Sequence, residues 1–533
     1  MNQKRQRTLS PSRVVILMWL ILWVMTVPLF HVHAPDINPE AGTLSRGVAH
    51  TVFSPDLPGE YSHSFDVSPL THGQTNTFHV HLSQHVSNYP EIGIALQNSS
   101  DDRKTAKQAV RKGLGQGAGE LSWIKIRLEP ADMVLAICCV GLAIGTTALV
   151  AQSIGALIYH SWNLWFEADT YQVFSMMTVG GAGHSRLLFH PLFLWVTYPA
   201  LSVLRHVAGL SPLAAVQVLL MLNAGTWMAL FVILLRTIGC PRLETGLLAL
   251  VALISAAWLF IFPIPETYPF GSVSLLLVLV WVALARGRPT PLWSQVGINL
   301  LAIGMTVTNW MASAIATLTS VSWRRAVLVF AIMGLLLVGA WHVQASRLGV
   351  TVAIQEGQNI FPTRAGGPLH ILRSMFFHTI VMPAITIRPD DGKTGVVLAN
   401  EDTVVVPERM VTQPSWPGSA SGWGRAALVC WMGLLLLGVR GLAASSSDLR
   451  LRLVLGATLI AQVALHLLYG DETFLYSPHF LPLLLTLVAL GCLSGPRPLV
   501  LMLLGILVVT DVVNNLLVFD QAVQFMREHD SYH

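Results

Sequence analysis

Glu167 and Asp169 are the residues of this chain whose type and setting best suit chemistry. They stand in WNLWFEADTYQVF, just where a long apolar run gives way to polar sequence. A carboxylate at such a boundary can be held partly desolvated while still reaching a polar substrate. A general base needs that setting, because its surroundings must tune its basicity toward working pH. An ordinary charged helix end, pinned at a membrane interface by Trp162 and Trp165, accounts for the same residues equally well. Of the pair, Asp169 is the stronger candidate base, since polar Thr170 and Tyr171 follow it whereas Glu167 adjoins Trp165 and Phe166. Two residues' separation puts them about 200° apart on a helix, so both face one cavity only if the segment is extended.

The elements that must position these residues are membrane helices. Of 533 residues, 53% are hydrophobic and only 11% charged, and the mean hydropathy is +0.59. Soluble proteins carry about 25% charged residues, so lipid must solvate much of this chain. Apolar runs long enough to span begin near Val14, Met133, Pro212, Thr245, Val273, Gly297, Ala326, Ala426, Leu453, Phe480 and Leu499. A further run, 190–208, is interrupted by Pro191 and Pro199. The expectation is a mainly α, polytopic transmembrane bundle of about eleven or twelve spans. Arginine clusters at Arg236/Arg242, Arg286/Arg288, Arg324/Arg325, Arg440/Arg450/Arg452 and Arg497 mark its cytoplasmic ends. Residues 295–321 begin and end near such arginines, which suits a pair of short helices that dips in and returns.

Residues 1–30 read as a membrane anchor or signal-anchor, and 131–533 as the transmembrane domain, with external loops at 160–211, 347–422 and 469–478. Between them, 31–130 is polar and shows period-2 alternation in NTFHVHL, EIGIALQN and WIKIRLE, the pattern of a small β-sandwich outside the membrane. His79 and His81 share one face there, and a solvated strand face explains them better than a metal does. An external β-rich region would send the next span inward and put Glu167 in the cytoplasm. Either the first run does not span, or the β-rich region is cytoplasmic, or a short crossing is hidden. Five cysteines without a CxxC argue against a zinc site or a disulfide framework. The net charge of +4 is too small to imply a nucleic-acid partner.

Several short motifs follow one another in order: Glu167-Ala168-Asp169, then His190-Pro191-Leu192-Phe193, then Pro265-Glu266-Thr267-Tyr268, then LYSPHFLPLLLTL, with Tyr476 and His479-Phe480-Leu481-Pro482 near its start. From about residue 161 to the C-terminus this order resembles the GT-C superfamily of polytopic glycosyltransferases, which includes protein O-mannosyltransferases and lipid A aminoarabinose transferases. In that group a first-loop carboxylate follows a transmembrane helix, a His-Pro helix comes next, and an Arg-Tyr-Leu-x-Pro-like helix start lies near the C-terminus. His479 stands where that Arg would be. The β-rich insert is not a general feature of the group.

The resemblance implies a cell-membrane enzyme that moves a sugar from a polyprenyl-phosphate carrier to a protein, lipid or glycan acceptor on the non-cytoplasmic side. The first-loop carboxylate would deprotonate the acceptor hydroxyl for inverting attack as phosphate leaves. The departing phosphate needs positive charge or hydrogen-bond donors, for which His184, Arg186, His190, Arg364, Arg373 and His378 are the external candidates. Glu266, Tyr268, Tyr476 and His479 would share one external cavity with Asp169. Asn309 lines that cavity or satisfies a helix break. Asp471 and Glu472 could hold a divalent cation or position the acceptor, although plain solvation of a short loop explains them slightly better; no other cofactor is implied. The loop 347–422 should bring an apolar helix over 371–387 close to the donor. Two other classes compete: a secondary transporter with charges at the midplane, and a sensor or assembly subunit whose β domain binds ligand.

Overall fold

The computed structural model describes residues 129–179, 189–286, 289–348, 366–389, 392, 394–398, 403–444 and 448–529. The anchor expected over 1–30 and, but for its last two residues, the β-sandwich expected over 31–130 lie outside them. In chain order the elements are α1 (Pro130–Ile154), β1 (Ser161–Trp162), α2 (Thr170–Thr178), α3 (Phe193–His206), α4 (Pro212–Ile238), α5 (Arg242–Ile254) and α6 (Ala256–Ile261). Next come α7 (Tyr268–Leu284), α8 (Leu292–Met305), α9 (Trp310–Leu318), α10 (Trp323–Leu348) and α11 (Pro368–Arg373), which continues as one turn of π-helix over Ser374–His378. Four short strands follow: β2 (Thr386–Pro389), β3 (Gly395–Val397), β4 (Thr403–Val405) and β5 (Glu408–Val411). The chain closes with α12 (Gly422–Ala444), α13 (Leu449–His466), α14 (Ser477–Ser494) and α15 (Arg497–His529).

Among the described residues seven helices are long and apolar enough to cross a bilayer: α1, α4, α10, α12, α13, α14 and α15. The protein is an integral multi-pass membrane protein. Among the described residues the expected count of about eleven or twelve spans is not reached, because three apolar runs do not form one long helix each, and the run near Val14 lies outside those residues. The run near Thr245 breaks at Ser255, whose extended backbone separates α5 from α6 and whose Oγ caps α6 by accepting from Trp258 N. The run near Val273 makes the shorter α7, of 17 residues. The run near Gly297 folds as two short helices, α8 and α9, with a break at 306–309. Asn299 Nδ2 bonds Thr317 Oγ1 at 2.7 Å and closes this hairpin near its base. The prolines of 190–208 leave only α3, of 14 residues, which packs against α4.

Ion pairs gather the arginine-bearing ends. Asp132, in the first turn of α1, accepts from Arg236 Nε at 2.9 Å and Arg242 Nε at 2.7 Å. Glu244 accepts from Arg497 Nε at 2.6 Å. Both carboxylates are buried, so charges from four helix ends neutralise one another at one end of the bundle. At the same end Arg450 Nη2 reaches Ala316 O, with its guanidinium over the Trp281 ring. Because α1 begins here and α4 finishes here, the segment joining them, which contains Glu167 and Asp169, lies at the opposite end. Glu129, at the start of α1, pairs with Arg242 at this same end.

At that opposite end two small antiparallel sheets form, one ordered β1-β3-β4 and the other β2-β5. Ser161 pairs with Val396 and Thr386 with Val411. Residues 379–382 run into the break at Ser255: Ala256 N donates to Ile380 O at 2.9 Å and Ala257 N to Thr379 O at 3.0 Å. Asn514 and Asn515 of α15 complete the joint, with Asn515 Nδ2 donating to Ile254 O and Ile380 O, and its Oδ1 accepting from Met382 N. Buried backbone groups freed by the helix break therefore find partners, as they must where no water competes.

Candidate functional site

The acidic segment is folded under strain. Asn163, Phe166 and Glu167 have φ of 60°, 50° and 59°, and these are the non-glycine residues with positive φ among those described. Side-chain-bearing residues hold such conformations only where their surroundings over-determine them, and such residues cluster at functional sites. The constraints are visible. Asn163 N bonds Ala168 O at 2.8 Å, and Ala168 N bonds Trp165 O at 2.9 Å. The Trp165 ring is buried and donates Nε1–H to Phe260 O, so it does not sit at an interface as expected. Phe166 packs edge-on against Phe260 and Phe474. From the far loop, Met410 N reaches Leu164 O and Val397 N reaches His160 O.

This geometry separates the two carboxylates by environment rather than by helical angle. Glu167 precedes the helix and pairs with Arg409 Nη1 at 3.0 Å. Asp169 immediately precedes α2 and is 6% exposed. Its N–H donates to Glu266 Oε2 at 3.1 Å. Glu266 is fully buried, and its Oε1 accepts from Thr267 N at 2.9 Å and from Thr267 Oγ1 at 3.1 Å. Thr267 Oγ1 lies 3.2 Å from His190 Nε2, and His190 Nδ1 lies 2.8 Å from Met305 O. With Nδ1–H given to that carbonyl, Nε2 is an acceptor that competes with Glu266 Oε1 for the single proton of the threonine hydroxyl. The tip of the α8–α9 hairpin fixes the segment: Leu192 N donates to Gly304 O at 2.7 Å and Val307 N to Phe189 O at 2.9 Å.

Tyr268, Tyr476 and His479 adjoin this chain of bonds. The Tyr268 ring centroid is 4.8 Å from Tyr476, 5.6 Å from His479 and 6.1 Å from His190. Gly271 has no side chain because a Cβ there would meet Thr306 Oγ1 and His479 Nε2. Asn309 serves the helix break: its Nδ2 donates to Gly271 O at 2.7 Å and Ser274 Oγ at 3.1 Å.

The chain matches no protein family, no curated protein and no solved structure. What the site can do therefore rests on its own geometry.

A second group of side chains is basic. Arg373 is 7% exposed, with its guanidinium 3.6 Å from the centroid of Trp416, and no carboxylate pairs with it among the described residues. Adjacent to it, buried Ser374 Oγ makes no hydrogen bond, and one turn on the buried His378 ring has only the backbone of Ser415 as a hydrogen-bonding neighbour. Burial, then the charges of Arg373 and His370, push His378 down to about 3. The π-helical turn carrying these residues packs on the turn at Thr473–Tyr476, and so next to Tyr476 and Tyr268. The helix expected over 371–387 is thus shorter than foreseen, and its remainder is extended chain leading to β2.

Glu472 is buried and not solvated, contrary to the slightly favoured reading of a solvated loop residue. Its Oε1 accepts from Thr412 Oγ1 at 2.7 Å, and its Oε2 from the backbone N–H groups of Thr412 and Gln413, each at 3.1 Å. These bonds clamp the end of β5. Burial nevertheless raises its pKa above the ordinary carboxylate value. Asp471 is half-buried beside it. No group of three potential metal ligands occurs among the described residues. His184, Arg186 and Arg364 lie outside those residues.

Two residues went unremarked in the sequence. Arg409 carried no signal, since its partner is 242 positions away. Asp511 did carry one: it is the lone acid in the apolar run GILVVTDVVNNLLVF. It is fully buried in α15, with the Asn515 side chain one turn on as its polar neighbour.

Proposed function

We propose that this membrane protein is a glycosyltransferase that takes a sugar from a polyprenyl-phosphate carrier and passes it to an acceptor at the outer end of the bundle. The observation that carries the reading is buried Arg373, with no carboxylate partner among the described residues, at the same end of the helices as buried Asp169, whose N–H is held by Glu266. A buried guanidinium without a carboxylate calls for an anion, and planar guanidinium suits phosphate. Ser374 Oγ adds an unused polar atom beside it, and the His378 ring lies one turn on. The arginine clusters at the other end support a non-cytoplasmic position for this one.

In this reading Asp169 takes the proton from an acceptor hydroxyl as that oxygen attacks the anomeric carbon. The bond from anomeric carbon to phosphate oxygen breaks, the electron pair leaves with the polyprenyl phosphate, and configuration inverts. Arg373 compensates the phosphate charge that grows in the transition state. The motif order resembling GT-C enzymes supports the same assignment. The test uses purified full-length protein in nanodiscs with polyprenyl-phosphate-sugar. Asp169→Asn should lower transfer by about 10²–10⁴-fold, Glu167→Gln by less, and Arg373→Met should raise the KM for donor. Full transfer by Asp169→Asn would remove Asp169 as the base.

One observation favours a second reading. Buried Asp511 within a spanning helix is the kind of intramembrane acid that cation-coupled transporters use. Wild-type protein that transfers no sugar but moves solute across vesicles would establish transport instead.

A further inference from the structure

Thr458, Gln462 and His466 are spaced i, i+4 and i+8 on α13, so they form a column on one face. They are 0%, 1% and 2% exposed. The Thr458 hydroxyl and both polar atoms of Gln462 make no hydrogen bond, and the His466 ring has only the backbone of Tyr469 as a polar neighbour. His479 Nε2, on the facing start of α14, is also buried without a bond. Buried polar groups in native proteins are nearly always satisfied, so a column of them points to a partner from outside the chain. Aromatic faces flank its outer end, with Tyr476 at 4.6 Å and Phe480 at 5.0 Å from the His466 ring. His479 in turn touches Tyr268, which follows Glu266 and Thr267.

The column carries no formal charge. Between residues 453 and 494 the charged side chains are Asp471 and Glu472, and the latter is committed to Thr412 and Gln413. Hydroxyl, amide and imidazole groups both donate and accept, as sugar hydroxyls do. An ammonium or carboxylate placed here would be desolvated with nothing of opposite sign beside it.

We propose that this column is the subsite for the sugar ring of the donor and that it selects a neutral, hydroxyl-bearing sugar over one carrying an amino or carboxylate group. The proposal rests on the glycosyltransferase reading and adds its substrate class. The phosphate goes to Arg373 and the ring to α13.

The experiment measures binding of four lipids to full-length protein in detergent: bare polyprenyl phosphate, and the same carrier bearing a neutral hexose, an amino sugar or a uronic acid. The neutral hexose should bind about tenfold tighter than the bare carrier, the worth of one or two good hydrogen bonds. The amino sugar and uronic acid should gain nothing. Gln462→Met and the near-isosteric Thr458→Val should each reduce the hexose increment while leaving affinity for the bare carrier unchanged. Equal or tighter binding of a charged sugar, or an increment that survives both substitutions, overturns the subsite and leaves the glycosyltransferase reading standing. If wild type binds no polyprenyl phosphate and Arg373→Met changes nothing, that reading falls and the subsite falls with it.

Discussion

Removing the Glu266 carboxylate should loosen the acidic segment before it loosens the bundle. Glu266→Ala leaves two buried backbone donors, Asp169 N–H and Thr267 N–H, without their acceptor. Each costs roughly 1–3 kcal/mol, so the sum is about 2–6 kcal/mol. The Thr267 hydroxyl adds little, because it can turn to His190 Nε2 at 3.2 Å. Relief of carboxylate desolvation offsets part of this sum. Glu266→Gln separates the contributions. Its amide oxygen can serve both Thr267 donors, which turns the NH₂ toward Asp169 N–H and frees that end of α2 alone. The assay is thermal unfolding in detergent together with amide hydrogen exchange over residues 161–172. The alanine variant should melt lower and exchange faster in that window. The glutamine variant should show the faster exchange with a smaller loss of melting temperature. Wild-type exchange over 161–172 in Glu266→Ala would refute the view that this carboxylate holds Asp169 in place.

Three further outcomes follow from the same geometry. Burial raises the Glu472 pKa, so its contribution to stability is present below the unfolded carboxylate pKa and is lost as pH rises through the folded value; Glu472→Gln should flatten that decline in a melting-temperature series from mildly acidic to neutral pH. For His378, lowered to about 3, stability is present above the unfolded value of 6.5 and falls as pH drops through the interval between them; binding of phosphate should therefore take up a proton and strengthen on acidification, readable by titration calorimetry in two buffers of different ionisation enthalpy. Gly271→Ala forces a methyl group against Thr306 Oγ1 and His479 Nε2 and should destabilise by about 1–3 kcal/mol, with the change in exchange confined to the hairpin tip and the start of α14.

Helix length and amphipathic spacing are local properties, and they were legible. The hydropathy runs locate α1, α4, α10 and α12 to α15, and the arginines flanking 295–321 pick out the α8–α9 hairpin. The break at Ser255 was hidden because the apolar run continues through it, and only the incoming carbonyls of Thr379 and Ile380 make it favourable. The carboxylates were legible as residues but not as roles. Glu167 is drawn to Arg409 and Glu472 to Thr412 and Gln413, and those partners come from loops with no periodicity to betray them. Asp169 and Glu266 belong to motifs 97 residues apart whose bond runs through a backbone amide, which a side-chain pattern cannot record. Asp511 was readable from its apolar surroundings, because an acid in a spanning helix is unusual wherever it occurs.

The strained turn at 163–167 also has a place in time. Its braces, β3 and β5 with Arg409, come from sequence some 240 residues later. At a synthesis rate of about 5–20 residues per second, roughly 10–50 s separate the emergence of Asp169 from that of its supports. The Asn515 joint that fixes 380–382 arrives later still. During that interval α1 and α4 can already lie in the membrane, with their buried ion pair to Asp132 formed. The scaffold is thus built early from neighbouring sequence, and the candidate site takes shape only when the distant loops return to it.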